Sequence, residues 1–288
     1  MTLLVLLFLG GVLVFNLMMY AVRLYDRGGR PGWERRFYHL SWAVLRDFLV
    51  ESLCVLLLLA LWLADFVGSV VWKWLGREPG PWTVSRSGDR PPGDRPVILC
   101  HGFHMRGLTL GVLAFWLRRL GRSVVVLPTF GPATADIRHY ADQLAGHIRD
   151  ALDRSGANAV DLVGHSMGGL IARACLAQAR RSGGPDLRVA RLVTLGTPHR
   201  GTGFWVFTWG DCGLDMRPGS PFLSWLGDEP AGVDATAIAS PFDGLVYEES
   251  ALGWNAPGVR KIKVEGVGHV ALSMLPRVAR RVFEALGG

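Results

Sequence analysis

From Pro96 onward, short apolar and β-branched runs alternate with amphipathic stretches of helical period, and this alternation narrows the fold more than any other feature of the chain. The runs at 97–100, 123–127, 160–163, 192–195, 236–239 and 261–264 predict buried parallel strands. The stretches 110–120, 136–154, 170–181 and 273–286 predict the helices between and after them. Strands and helices in alternation form an open, mostly parallel sheet covered on both faces, so the fold class is α/β. No internal repeat interrupts the pattern.

At the junction of one predicted strand and one predicted helix stands Gly164-His165-Ser166-Met167-Gly168. A serine on a sharp strand-to-helix turn presents its hydroxyl, and glycine two residues to either side relieves the crowding such a turn creates. The turn also sets the backbone N–H of Met167 and the positive helix end beside the hydroxyl, where they can stabilise a developing oxyanion. The motif alone recurs by chance as a glycine-rich turn; the strand before it and the helix after it give it weight.

The segments Pro-Val-Ile-Leu-Cys-His-Gly-Phe at 96–103, Gly-His-Ser-Met-Gly-Gly at 164–169, Leu-Val-Thr-Leu-Gly-Thr-Pro-His-Arg-Gly-Thr at 192–202 and Glu-Gly-Val-Gly-His at 265–269 resemble, in that order, the α/β-hydrolase superfamily, and within it the small bacterial lipases and esterases. The resemblance runs from Pro96 to about 286 and leaves the first 75 residues outside. It implies the α/β-hydrolase fold, a serine nucleophile and acyl transfer, and it is silent on the substrate.

A serine nucleophile needs a base, and the base an acid that fixes its tautomer. In this fold they follow in the order Ser, acid, His. His199 and His269 alone follow Ser166. His269, in a glycine-rich loop between the last predicted strand and helix, is the expected base. His199 resembles a family segment beside the site and is expected to be structural, and His165 adjoins the nucleophile too closely to face it. Asp243, in Ser-Pro-Phe-Asp-Gly just after a predicted strand, resembles the family's acid loop; Glu248 and Asp234 are the alternatives, and Asp243 also reads as a simple Asp-Gly turn. By resemblance the backbone N–H of Phe103 is the second oxyanion donor. His101 and His104 lack the further ligands of a metal set, so neither metal nor cofactor is expected.

The segment 201–235 is long for a connection and rich in aromatic residues, which makes it a candidate lid or acyl pocket in which Phe204, Trp205 and Trp209 would bind substrate; a packed Ω-loop reads equally well. The pattern suits hydrolysis of acyl or lipid esters, acyl transfer by the same three residues, or a non-enzymatic membrane scaffold on a hydrolase fold. The last is disfavoured because each expected catalytic position holds a competent residue.

The N-terminal part is of another kind. Half of all residues are hydrophobic, and 1–22 carries no charge, enough to cross a bilayer core of roughly 30 Å as a helix. The second apolar run, 52–72, holds only Asp65, a charge that costs a few kcal/mol at mid-bilayer unless it has a partner, about 3 by insertion scales. The expected organisation is a transmembrane helical hairpin in 1–75, a Pro-, Gly- and charge-rich linker at 76–95, and the catalytic domain at 96–288. A helix lying on the membrane surface is the alternative for 52–72. Several of the 11 tryptophans flank these runs, as suits the headgroup boundary. Arg23, Arg27, Arg30, Arg35, Arg36 and Arg46 keep the connector in the cytoplasm by the positive-inside rule, so two spans put the catalytic domain on the outer, periplasmic face of a bacterial inner membrane, and one span with a surface helix puts it inside. The net charge of +7 is dispersed, which argues against a nucleic-acid partner and leaves membrane lipids. No obligate protein partner is evident, and the four cysteines show no zinc or disulfide spacing.

Overall fold

The computed structural model describes residues 42–76, 81–85, 95–131, 134–183, 187–228 and 232–288. In chain order the elements are α1 (Trp42–Trp74), β1 (Trp82–Ser85), β2 (Val97–Cys100), α2 (Gly111–Leu120), β3 (Val124–Leu127), α3 (Ile137–Ser155), β4 (Val160–His165), α4 (Met167–Arg181) and β5 (Val189–Leu195). After a 3₁₀ turn at Gly203–Phe207 come α5 (Asp211–Asp215), α6 (Pro221–Leu226), β6 (Asp234–Ala239), α7 (Glu248–Ala251), β7 (Arg260–Lys263) and α8 (Pro276–Ala285). Every strand and helix expected from 96 onward is present, with ends displaced by a few residues.

The strands form one seven-stranded sheet in the order β1-β3-β2-β4-β5-β6-β7, parallel except for β1. Successive side chains of a strand point to opposite faces, and β2 accordingly divides its residues between two cores. Ile98 and Cys100 join one core with Ile137, Tyr140 and Leu144 of α3 and Leu170 of α4. Val97 and Leu99 join the other with Leu113 and Leu117 of α2 and Val278 and Val282 of α8. Local chemistry sets the helix ends: Asp136 caps α3 by accepting from the His139 N–H at 2.7 Å, and Gly156, at φ 61°, ends it in the left-handed region.

One part of the expected linker is not a linker. Trp82–Ser85, within 76–95, pairs antiparallel with β3 and extends the sheet edge. Asp161 of β4 is fully buried and holds Arg95 at 2.9 Å and Arg122 at 3.3 Å, while Arg122 and Arg191 both donate to the Leu286 carbonyl.

The expected hairpin appears as one helix, since 1–22 lies outside the described residues. Leu45–Trp74 is long and apolar enough to cross a membrane by length and composition. Yet α1 lies along the α/β domain, and it does so with its less apolar stripe inward. Asp47, Glu51, Cys54, Leu58, Trp62, Asp65 and Ser69 recur at three- and four-residue steps, one helix face. Cys54 and Leu58 pack into the second core; Trp62 Nε1 donates to the His104 carbonyl at 3.0 Å; Asp65 accepts from Leu108 N at 3.2 Å with the Arg106 guanidinium 3.6 Å away. Asp65 thus has the partners that a charge in an apolar run needs. Outward, Leu45, Leu49, Leu53, Leu57, Leu63, Val67 and Val70 are exposed.

Candidate active site

Ser166 follows the last residue of β4 and precedes α4, with φ 54° and ψ −127°. A side chain in this region stores about 1–3 kcal/mol of strain, which the packing around it must hold. The Ser166 N–H is fixed to the Leu195 carbonyl at 2.8 Å, and its own carbonyl accepts from Gly169 N at 3.1 Å. As expected of the turn, a Cβ at position 164 would overlap the Gly169 backbone, and one at 168 the Cys100 carbonyl. Met167 opens α4, where N–H groups lack a partner one turn earlier.

His269 and Asp243 come together in the fold. His269 Nδ1 lies 2.6 Å from Asp243 Oδ2, both side chains buried. Asp243 Oδ1 accepts from Leu245 N at 2.9 Å and Val246 N at 2.8 Å, which leaves Oδ2 to accept from the ring. Nδ1 therefore carries the proton and Nε2 keeps its lone pair for another donor. Burial lowers the His269 pKa, the charge and hydrogen bond of Asp243 raise it more, and Glu51 adds to the rise. His101 and His165, as deeply buried but without a carboxylate on the ring, are pushed down by desolvation to about 4 and about 3. The reserve acids lie elsewhere: Asp234 pairs with Arg260 and Arg191, and Glu248 with Lys263.

Three further residues shape this pair in ways the sequence does not assign to them. His165 Nε2 donates to the His269 carbonyl at 2.9 Å, its ring 4.8 Å from the His269 ring. Adjacent to Ser166 in sequence, it supports the loop of His269. Gly196, at φ 53°, gives the pair room: a Cβ there would lie 2.9 Å from Asp243 Oδ2 and 3.2 Å from His269 Nδ1. Glu51 of α1 accepts from Val270 N at 2.8 Å and Ala271 N at 3.0 Å, the two amides that come after His269.

The loop that carries Phe103 approaches closely, since a Cβ on Gly102 would sit 3.0 Å from the Ser166 Cβ. Phe130 N donates to His101 Nε2 at 3.1 Å, so His101 Nδ1 holds the proton and donates to the Gly102 carbonyl at 3.0 Å. Both ring nitrogens of His101 are thereby engaged in holding the loop. His199 likewise accepts from Arg173 at 3.1 Å and donates to Thr194 Oγ1 at 3.0 Å, with Arg173 4.3 Å above the Trp254 ring.

The segment 201–235 divides into two parts. Cys212, Met216, Phe222 and Leu226 are buried in the first core, and Asp215 accepts from Ile137 N at 2.9 Å, so the second part is packed. The first part exposes Val206, Phe207 and Trp209. Trp209 lies 5.6 Å from Phe103 and 4.2 Å from His104 between ring centres. Phe204 packs on Phe207 at 5.2 Å, and Trp205 lies beneath the Arg217 guanidinium at 5.7 Å.

A model of the alpha/beta hydrolase fold matches residues 95–270. The chain belongs to that family. Triacylglycerol lipases of Pseudarthrobacter phenanthrenivorans and Burkholderia plantarii are each 33% identical over 152 residues, half of this chain and 41% and 37% of theirs. The chain thus matches well under half the length of these relatives. Among solved structures, the mature Bacillus licheniformis lipase BlEst2 superposes with a TM-score of 0.59 at 17% identity, over 72% of this chain and 97% of that one. At that identity the likeness concerns the fold alone.

Proposed function

We propose that the protein is a membrane-bound serine hydrolase of carboxylic esters, with Ser166 as nucleophile, His269 as base and Asp243 as the acid that orients it. The observation that carries the reading is the 2.6 Å contact of His269 with Asp243, in a domain whose Ser166 stands on a strained strand-to-helix turn. The names of the two lipase relatives support the substrate class. His269 Nε2 takes the Ser166 proton as Oγ attacks the ester carbonyl, and the Asp243 carboxylate stabilises the imidazolium. The amides of Phe103 and Met167 receive the oxyanion. His269 returns the proton to the departing alcohol, and water, activated by the same ring, releases the acid from Ser166. A fluorophosphonate probe tests this: labelling at Ser166 supports the enzyme, and an inert folded protein refutes it.

Within 96–288, the exposed apolar turn around Trp209 is the proposed acyl site, adjoining Phe103. Longer acyl chains are then expected to react faster, by severalfold over a few methylenes, because each buried methylene contributes at most about 0.8 kcal/mol. Trp209→Ala should flatten the dependence of kcat/KM on chain length and spare acetyl esters. Efficiency that peaks at acetyl and falls steadily with length would replace the lipase reading with a short-chain esterase.

The attachment to lipid rests on the reversed polarity of α1, whose outward face is apolar and whose carboxylates point to the domain. A domain docked along this helix suits an orientation in the bilayer surface, with the outward leucines and valines in the acyl boundary. With 1–22 as the span and the Arg-rich connector held in the cytoplasm, the catalytic domain is then on the cytoplasmic side. A fluorescent protein that matures only in the cytoplasm, fused after Gly288, should glow; activity of alkaline phosphatase fused at the same point would support two spans and the periplasmic side instead.

A further inference from the structure

Asp65 and Glu51 are 14 residues apart on α1, about 21 Å along its axis, and each meets a different loop of the candidate site. Asp65, with Trp62, holds the loop that comes after Phe103. Glu51 holds the loop that carries His269. Its Oε1 accepts from Val270 N and its Oε2 from Ala271 N, which start the short 3₁₀ turn Ala271–Ser273. The approach is as close as sterics allow, because a Cβ on Gly268 would overlap the Glu51 carboxylate. His269 is thus gripped from three sides: its ring by Asp243, its carbonyl by His165, and the two amides after it by Glu51.

A tether needs none of this. An anchor joined to an enzyme by a linker makes no polar contact with the catalytic loops, and a buried carboxylate is costly unless its geometry is satisfied. We propose that Glu51 is a positioning residue for His269, so that α1 is a structural part of the active site as well as its attachment to lipid. The inference rests on the assignment of His269 as the base. Through the Val270 and Ala271 amides, Glu51 fixes the backbone from which the imidazole projects; burial pushes its own carboxyl up against the pull of the two amides, and the charge it carries favours the protonated ring that forms during attack. The other titratable groups around the pair are Asp243 and His165 on the sheet side, Cys54 and Asp47 on adjoining turns of α1, and Arg277, which donates to the Gly266 carbonyl.

The experiment uses the full chain in detergent micelles, with p-nitrophenyl butyrate as substrate and a fluorophosphonate as probe. Glu51→Gln keeps one acceptor oxygen and turns an amide against the second N–H; Glu51→Ala removes both. Expected are kcat losses of about tenfold and about a hundredfold, with KM within about twofold, as befits a displaced base in an intact binding site. The acid limb of kcat/KM should move to lower pH in both, because a negative charge that raises the His269 pKa is gone. Leu53→Gln, on the outward face of the same helix, should leave all of these unchanged.

Folded Glu51→Gln with wild-type kcat and an unmoved acid limb overturns the positioning role, whether or not Glu51→Ala folds. So does a loss that appears in KM alone. If the wild-type protein is not labelled at Ser166, the hydrolase reading itself falls and the positioning role falls with it. Labelling of the wild type together with unaffected Glu51 variants removes only the latter.

Discussion

Folded Ser166→Ala is expected to lose about 10⁴- to 10⁶-fold in kcat, leaving only what binding and the two backbone amides supply. Asp243→Asn should lose about 10⁴-fold with little change in KM, because an amide can donate to Nδ1 and so favours the wrong tautomer of His269. Asp234→Asn and Glu248→Gln, whose carboxylates pair with Arg260, Arg191 and Lys263, should keep near-normal turnover. The pH profile has a definite sign. Burial lowers the His269 pKa and Asp243 raises it, with a net shift above the ordinary 6.5. A proton on Nε2 blocks the base, so kcat/KM should fall with decreasing pH through a midpoint above 6.5. In Asp243→Asn that midpoint should move down. Steady-state kinetics on the purified variants checks all four substitutions, and full activity in folded Ser166→Ala would end the mechanism.

Gly196→Ala should lower kcat by about 10²-fold while the protein stays folded, a loss of the size that a displacement of about 1 Å in a catalytic pair produces. Two causes combine at this position. An L-residue at φ 53° carries about 1–2 kcal/mol of strain. In addition, the new methyl would stand 2.9 Å from Asp243 Oδ2, 3.2 Å from His269 Nδ1 and 3.0 Å from Leu272 Cδ1, so the hydrogen-bonded pair must shift. Gly183 separates the two. It has φ 61° and nothing within 4 Å of a Cβ, so Gly183→Ala should lower the melting temperature by several degrees, about 2–4 °C per kcal/mol, and leave kcat unchanged. Calorimetry and kinetics on both variants check the contrast; equal kcat in the two would mean that the methyl is accommodated without moving the pair.

Much of the fold is legible in the chain because it is local. Buried parallel strands are apolar runs, helices carry their period, and the Gly164–Gly168 turn announces its own geometry, so the order of elements from 96 onward can be written from the residues alone. Asp243 and His269 are legible for another reason: each stands in a loop after a strand, and in a parallel sheet such loops gather at one edge. What escapes depends on contacts between distant residues. β1 is four residues long, sits in a Pro- and Gly-rich tract and becomes a strand only through pairing with β3. Asp65 reads as a blemish in an apolar run and Glu51 as polarity at its edge, because their partners, Leu108, Val270 and Ala271, stand far along the chain. Gly196 looks like one glycine among 37. His165 reads as too close to Ser166 in sequence to face it, and the sequence does not tell that its ring reaches the His269 carbonyl.

The buried node at Asp161 has a topological corollary. Arg95, two residues before β2, ends on one oxygen of this carboxylate; Arg122 ends on the other and also reaches the carbonyl of Leu286 at the end of α8. Entry and exit of the domain are therefore tied at one spot, and the polypeptide from 95 to 286 is nearly a closed ring. A ring has no privileged starting point. A short peptide joining 286 to 95, in a chain without the residues before 95, would allow the ring to be opened at an exposed turn, such as Ser182-Gly183, with the order of β2 to β7 kept and only β1 and α1 given up.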